Sequence, residues 1–154
     1  MRHTAKEQIE TIYRQINAIS ALYHTAIAHT EVTDNEFWIW YSLIVVEGEQ
    51  SQQSICSAWS LSKQTVNRIV SQMVKKGYAV LEAVPGTRNR KVIRLTDTGR
   101  KYGESIVLPI FTAEQRAMSR LSMDEITACT KAYEKYLSIL KEEIPGADID
   151  PLKP

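Results

Sequence analysis

LSKQTVNRIVSQMVKKGYAVLEAVPGTRNRKVIRLT, residues Leu61–Thr96, is the stretch whose reading decides the fold. Val66, Ile69, Val70 and Met73 recur at i, i+3, i+4 and i+7, so they share one helix face. Gln64, Arg68, Ser71 and Lys75 fall on the opposite face, flanked by Lys63 and Asn67. Ser62 stands where its hydroxyl can accept a free amide hydrogen of the first turn. Lys75 and Lys76 suit the negative end of the helix dipole, and Gly77 supplies a stop. Tyr78–Val84 is β-rich and Pro85-Gly86 marks a turn. Lys91–Thr96 then alternates, with Ile93 and Leu95 on one face and Val92 and Arg94 on the other. Helix, strand, basic tip and strand, in that order, predict a winged helix-turn-helix whose second helix reads a groove of DNA.

The outward helix face offers amides, hydroxyls and cations, the groups that pair with base edges and phosphates. An ordinary solvated helix face has the same composition, so the helix alone leaves both readings open. The hairpin tip shifts the balance. It carries Arg88, Arg90 and Lys91 within four positions, and a tip has no core to support. Beside a groove-reading helix such cations reach phosphates or the minor groove, whereas a solubilising loop is the bland alternative. Charge distribution is an independent check. The chain nets only +1, but residues 48–101 hold ten Lys and Arg against three acids. That net of +7 between acidic flanks is a localised electrostatic footprint hidden by the average.

Working outward, the periodicity is helical. Ile9, Ile12, Tyr13, Ile16, Ile19, Tyr23 and Ile27 draw a stripe through residues 5–29. Thr33-x-x-Glu36 is a capping box opening a second helix, and its body FWIWYSLIVV is apolar nearly all round, as a central buried helix is. Gly48 is the expected end. Ser51 caps a short helix to about Ala58, and Trp59-Ser60-Leu61 turns into the next, which is helix-turn-helix spacing. Past the wing, Thr96 caps a helix from Asp97 to Arg120 that Pro109 should kink or end early. Ser122-x-x-Glu125 opens a last helix with Met123, Ile126, Tyr133, Leu137 and Leu140 on one stripe and Tyr136 beside it. Pro145-Gly146 ends it. The fold class expected is mainly α (α+β). Residues 33–100 form a winged helix-turn-helix domain, 1–32 and 101–145 a helical dimerisation region, and 146–154 a frayed tail. The apolar stripes of the terminal helices need burial, and a second copy of the chain supplies it as a symmetric homodimer. Such a dimer reads pseudo-palindromic half-sites of double-stranded DNA about 10 bp apart, or a multiple of that.

Composition narrows the classes further. At 154 residues the chain can bury one full core. It has no apolar run near the roughly 18 residues of a membrane span, and its polar start lacks a signal-peptide core, so a cytoplasmic protein is expected. Cys56 and Cys129 are too few and too distant for a disulfide framework and read as small core residues in a reducing cytoplasm. No P-loop, dinucleotide fingerprint, H-E-x-x-H or C-x-x-C occurs, and the three histidines fall within the first 29 residues. No catalytic residue, metal site or cofactor is therefore assigned, and an enzyme is not expected. The alternative function is a winged-helix protein-interaction module without DNA binding.

The ordered set of pieces resembles the MarR family of bacterial transcriptional regulators. It comprises the long first helix, SLSKQTVNRIVSQMVKKGYAV with its Lys-Gly-aromatic exit, RKVIRLTDTG with Leu-Thr-x-x-Gly, and two C-terminal helices. The resemblance spans residues 5–143. It implies that Ser62, Lys63, Gln64, Thr65, Asn67 and Arg68 read the groove, with Ser71 and Lys75 on the same face, and that Arg88, Asn89, Arg90 and Lys91 form the wing contact. The chain departs from the family's Asp-x-Arg wing motif, because Thr87 and Asn89 occupy those positions and Arg88 and Arg90 flank them. The resemblance also implies a repressor released by a small aromatic or phenolic effector, in a crevice to which Tyr13, Tyr23, His24, Trp38 and Tyr41 would contribute. The peroxide-sensing and zinc-sensing variants do not fit. The first cysteine is Cys56, and no histidine follows His29. His24 and His29 are five apart, off the i, i+4 spacing of a ligand pair.

Overall fold

The structure, a computed structural model, describes residues 4–147. Six helices and one hairpin follow in the order α1 (Ala5–Ile27), α2 (Asp34–Ile44), α3 (Gln52–Trp59), α4 (Lys63–Lys75), β1 (Ala79–Ala83), β2 (Lys91–Leu95), α5 (Asp97–Met118) and α6 (Met123–Glu143). A single 3-10 turn, Ile144–Gly146, closes the described chain. Residues 148–154 of the expected tail lie outside the described residues. The chain divides into two compact units, 1–111 and 112–154, and the boundary falls inside α5.

Local chemistry sets the helix starts. Capping boxes open α1 (Thr4, Glu7), α2 (Thr33, Glu36), α3 (Ser51, Ser54) and α6 (Ser122, Glu125), each satisfying two orphan main-chain donors. Ser62 caps α4 by accepting from the Thr65 N–H at 3.1 Å. At α6 the main chain and hydroxyl of Ser122 donate to Glu125 and hold its carboxyl below the usual glutamate range. The cap is therefore complete above the ordinary glutamate pKa and is lost as pH falls through the lowered one. Thr33→Ala removes one reciprocal bond at the start of the central helix. It should cost about 1 kcal/mol in a denaturant titration, and an unchanged midpoint would remove the box from the list of stabilising features.

The core lies wholly within the first unit. Phe37, Ile39 and Trp40 of α2 pack with Ile55 of α3, Val66, Ile69, Val70 and Met73 of α4, Ala79, Ile93, Val107, Ile27 and Val32. The four α4 residues are those of the sequence stripe. Burial of each contributes roughly 1.5–3 kcal/mol, which fixes which way the helix faces. The one buried polar residue among those described, Ser42, accepts a hydrogen bond from Trp59 Nε1. Ser60 takes the left-handed conformation (φ 52°) between α3 and α4.

The hairpin is antiparallel, with Ala79 opposite Leu95 and Ala83 opposite Lys91. Gly86, at φ 77°, follows Pro85 in a turn closed by the Thr87 N–H on the Val84 carbonyl at 3.3 Å, as a type II turn requires. The Ile93 N–H bonds to the Gln50 carbonyl at 2.8 Å, so the chain ahead of α3 extends the pairing beyond β2.

Two expectations need correction. Helix α2 ends at Ile44, with Val45 its cap, and not at Gly48. The β-branched Val45 and Val46 suit helix poorly, and Gly48 (φ 88°) only turns the chain afterwards. Of the two effects expected of Pro109, a kink or an early end, the early end does not occur, because α5 runs on to Met118. The ring removes the donor for the Ser105 carbonyl, but Val107 is fully buried and Ile106 and Ile110 pack on the core around it. Val92, on the face of β2 opposite Ile93, is buried as well, and it lies apart from the main core cluster.

Helix α6 has no buried residue: Met123, Tyr133 and Leu137 are exposed, and Ile126, Tyr136 and Leu140 are half-buried. Of the α1 stripe only Ile27 is buried, while Ile12, Ile16 and Tyr23 are half-buried and Ile9, Tyr13 and Ile19 are exposed. No helix among the described residues is long and apolar enough to cross a membrane.

Candidate nucleic-acid interface

Because the apolar stripe pins α4 to the core, its opposite face is left to solvent. Lys63, Gln64, Asn67, Arg68, Ser71 and Lys75 are all exposed, as are Arg88, Asn89, Arg90 and Lys91 at the wing tip. Lys63, Arg68, Lys75, Arg88, Arg90 and Lys91 form no ion pair among the described residues, so their charge is directed to solvent or to a partner. Thr65 differs: it is half-buried, and the Ser62 hydroxyl donates to its Oγ1 at 2.8 Å. Ser62 and Thr65 therefore build the start of α4 before they offer anything outward.

Two open hollows lie along this surface. One, of about 540 Å³, is lined by Gln52, Gln53, Cys56, Lys63, Gln64 and Asn67. The other, of about 440 Å³, is lined by Ser51, Gln52, Gln53, Asn89, Arg90 and Lys91. Gln52 and Gln53 belong to both, so the first turn of α3 connects α4 to the wing. The Asn67 amide donates to Gln52 Oε1 at 3.3 Å across this junction. The two glutamines were missed as site candidates because they carry no charge and sit in a helix assigned to scaffolding. The Ser51 cap was the available signal, since it places the free amides of a helix start on this side.

Arg94 is the cation that does not join the tip. Its guanidinium bonds to Glu82 on β1 at 3.1 Å and to Glu49 in the segment before α3. Hydrogen bonding to Glu82, then to Glu49, raises its pKa above the usual arginine value. The pair of carboxylates holds the base of the wing beside the chain ahead of α3. Arg94→Gln should leave the thermal midpoint nearly unchanged, because the group is exposed, yet weaken duplex binding several-fold by loosening the wing. Unaltered affinity on a duplex the parent protein binds would assign the clamp no part in positioning.

The exit of α4 and the entry of α5 are tied by the Thr96 hydroxyl and by main-chain atoms. The Thr96 hydroxyl donates to the Gly77 carbonyl at 2.6 Å and accepts from the Gly99 N–H at 3.0 Å. The Thr96 N–H donates to the Tyr78 carbonyl at 3.0 Å. Lys-Gly-aromatic and Leu-Thr-x-x-Gly are thus two halves of one junction. The model of the MarR family matches residues 31–88, from the loop before α2 to the wing tip. Over those residues the chain is similar to the MarR family. The chain is similar in fold to a MarR family regulator of Neisseria meningitidis (TM-score 0.77, 21% identity, 90% of this chain and 97% of that one). It is also similar to S. aureus MepR in its DNA-binding conformation (TM-score 0.70, 21% identity, 86% and 98%). A third is Bordetella bronchiseptica BpsR, whose DNA binding is regulated by 6-hydroxynicotinic acid (TM-score 0.61, 18% identity, 88% and 97%). No curated protein matches. The fold of the MarR winged helix is accordingly that of this chain.

The residues expected at an effector crevice separate into two groups. Tyr23, Trp38 and Tyr41 meet in an aromatic cluster, with Tyr23–Trp38 centroids at 5.2 Å and Trp38–Tyr41 at 5.5 Å. Trp59 stacks on Trp38 at 4.7 Å, and Phe111 meets Tyr41 edge-on at 6.2 Å. Tyr13 is exposed and outside the ring contacts of that cluster. His24 is exposed and pairs through Nδ1 with Asp34 at 2.9 Å, linking the end of α1 to the start of α2. Cys56 and Cys129 are free thiols; Cys56 is half-buried, but Cys129 is exposed on α6, which has no buried residue, and so is not the core residue expected.

Proposed function

We propose that this chain is a homodimeric, sequence-specific DNA-binding transcriptional regulator, a repressor released by a small aromatic effector. The observation that carries the reading is the set of exposed amides and of cations without ion pairs on α4 and the wing tip, joined through Gln52 and Gln53 into one surface. In this reading α4 enters the major groove, Arg68 and Gln64 face base edges, and Arg88, Arg90 and Lys91 neutralise flanking phosphates. The fold shared with S. aureus MepR in its DNA-binding conformation supports the docking geometry. Helices α1 and α6 each offer an apolar stripe for a second copy, which supports the dimer and the division into 33–100 for reading and 1–32 with 101–145 for dimerisation. The regulation of BpsR by 6-hydroxynicotinic acid and the cluster around Tyr23, Trp38 and Tyr41 support an aromatic effector. A ligand of this kind releases DNA only by binding better to a dimer whose α4 helices miss the half-site spacing.

A mobility shift on the protein's own upstream duplex tests the reading. A complex should survive nonspecific competitor and weaken steeply between 50 and 200 mM salt, because bound phosphates release counterions. A folded dimer that leaves the duplex unshifted at low salt would favour the protein-interaction module. Sedimentation tests the dimer separately. Leu137→Glu places a charge in the α6 stripe, where Leu137 is 53% exposed, and should turn a micromolar dimer into monomer with little loss of the monomer's own helix content.

A further inference from the structure

A small cavity of about 80 Å³ lies behind α4. Its walls are unlike those of the aromatic cluster around Trp38. Trp40, Tyr78 and Tyr102 line it: the two tyrosines stack at 4.7 Å with planes 10° apart, and Trp40 meets both edge-on at 5.7 and 5.3 Å. Glu31 and Glu36 add two carboxylates, and neither forms an ion pair among the described residues. Burial first, and then the charges of Tyr78, Glu31 and Glu36, raise the Tyr102 hydroxyl above its usual pKa, so it stays neutral. Lys76 is the only cation on the wall and leaves the lining net negative. Val32, Ile69 and Met73 close the inner side with apolar surface.

Each property selects for the occupant. Net negative charge calls for a cation, and aromatic walls favour an organic cation by their quadrupoles. Hard divalent ions need six or more oxygens at short range, which two glutamates do not supply. Among the described residues no group of three or more His, Cys, Asp and Glu is placed to hold a metal. Carboxylates, phenol oxygens and the Gln72 amide are acceptors, which match N–H donors. From these observations we infer that the cavity bounded by Glu31, Glu36, Trp40, Tyr78 and Tyr102 binds the protonated head of a small primary alkylamine. Its alkyl chain lies toward Ile69 and Met73. The inference is independent of DNA, because nothing in it uses the outward face of α4.

The probe is butylammonium, titrated into the full-length protein at fixed ionic strength and followed by the indole N–H of Trp40 and the side-chain amide of Gln72 in NMR spectra. Saturable shifts at both are expected, with at least tenfold weaker responses to butan-1-ol, which lacks the charge, and to tetramethylammonium, which lacks N–H donors. Glu31→Gln with Glu36→Gln should weaken binding at least tenfold while keeping the α2 cap, since glutamine also serves the capping box. Should the double variant fail to fold, the exposed Glu31→Gln alone should still weaken binding several-fold. Equal responses to butylammonium and butan-1-ol would overturn the inference in favour of simple apolar filling. Equal responses to tetramethylammonium would overturn the primary-amine assignment, and absence of shifts with butylammonium would dismiss the site. Because every arm is run without DNA, failure here leaves the regulator reading intact, and failure of the mobility shift leaves this site intact.

Discussion

Gly99→Ala is expected to destabilise the protein by about 3 kcal/mol or more, near or beyond the upper end of overpacking penalties. A methyl group at Gly99 would stand 1.9 Å from the Tyr78 carbonyl oxygen, 2.6 Å from its carbon and 2.8 Å from the Tyr78 Cα. All three obstacles are backbone, and that carbonyl also accepts the Thr96 N–H. Neither partner can step aside without opening the junction between the exit of α4 and the start of α5. At about 2–4 °C per kcal/mol for a chain of this size, the melting temperature should fall by roughly 6–12 °C. Gly103→Ala is the internal comparison. A methyl group there would meet the Trp40 ring at 2.7 Å and Ile44 Cδ1 at 3.0 Å, both side-chain atoms that can shift. Its cost should be smaller, about 1–2 kcal/mol. If the two variants melted together, or if Gly99→Ala matched the parent, the described approach of α5 to Tyr78 would be wrong.

The second large effect concerns affinity. Removing Arg88, Arg90 and Lys91 together as alanines should leave stability intact, because all three are exposed and outside the core. Each lost phosphate contact takes about 0.9 from the slope of log affinity against log salt, so three take about 2.7. Between 50 and 200 mM salt, the parent protein should therefore lose about forty-fold more affinity than the variant. Arg68→Ala should behave differently. Its side chain faces the groove in the proposed complex, so about 1–3 kcal/mol of discrimination between operator and mismatched duplex should go while the slope changes by one at most. A triple variant with the parent's salt slope would move the phosphate contacts off the wing. An Arg68→Ala protein with full discrimination would move base reading elsewhere on α4.

Much of this was legible because the governing interactions are local. A cap needs a hydroxyl and an amide three residues on, so Thr33, Ser51, Ser62 and Ser122 announce themselves. The α4 stripe needs only a 3.6-residue period, and the residues it selects are the buried ones. What stayed hidden depends on distant partners. Arg94 looks like one more cation of a basic hairpin until Glu49, 45 positions away, is seen beside it. Pro109 looks like a stop until the buried Val107 shows that packing holds the helix together across it. Gln52 and Gln53 carry no charge signal, and only the placement of α3 between α4 and the wing makes them part of the surface. The cavity behind α4 draws on three separate stretches of chain, and no periodicity marks it.

The knot at Thr96 has a consequence for how such a protein can change over generations. Its bonds fall on the carbonyls of Gly77 and Tyr78 and the amides of Thr96 and Gly99, so only the hydroxyl of Thr96 and the bareness of Gly99 are side-chain requirements. The residues that would recognise an operator lie on either side of this knot and contribute nothing to it. Drift at Gln64, Arg68 or the tip can alter what is recognised without a folding penalty, while the frame that presents them stays where it is. A lineage built on this junction can acquire new targets by single steps, each of them a folded protein.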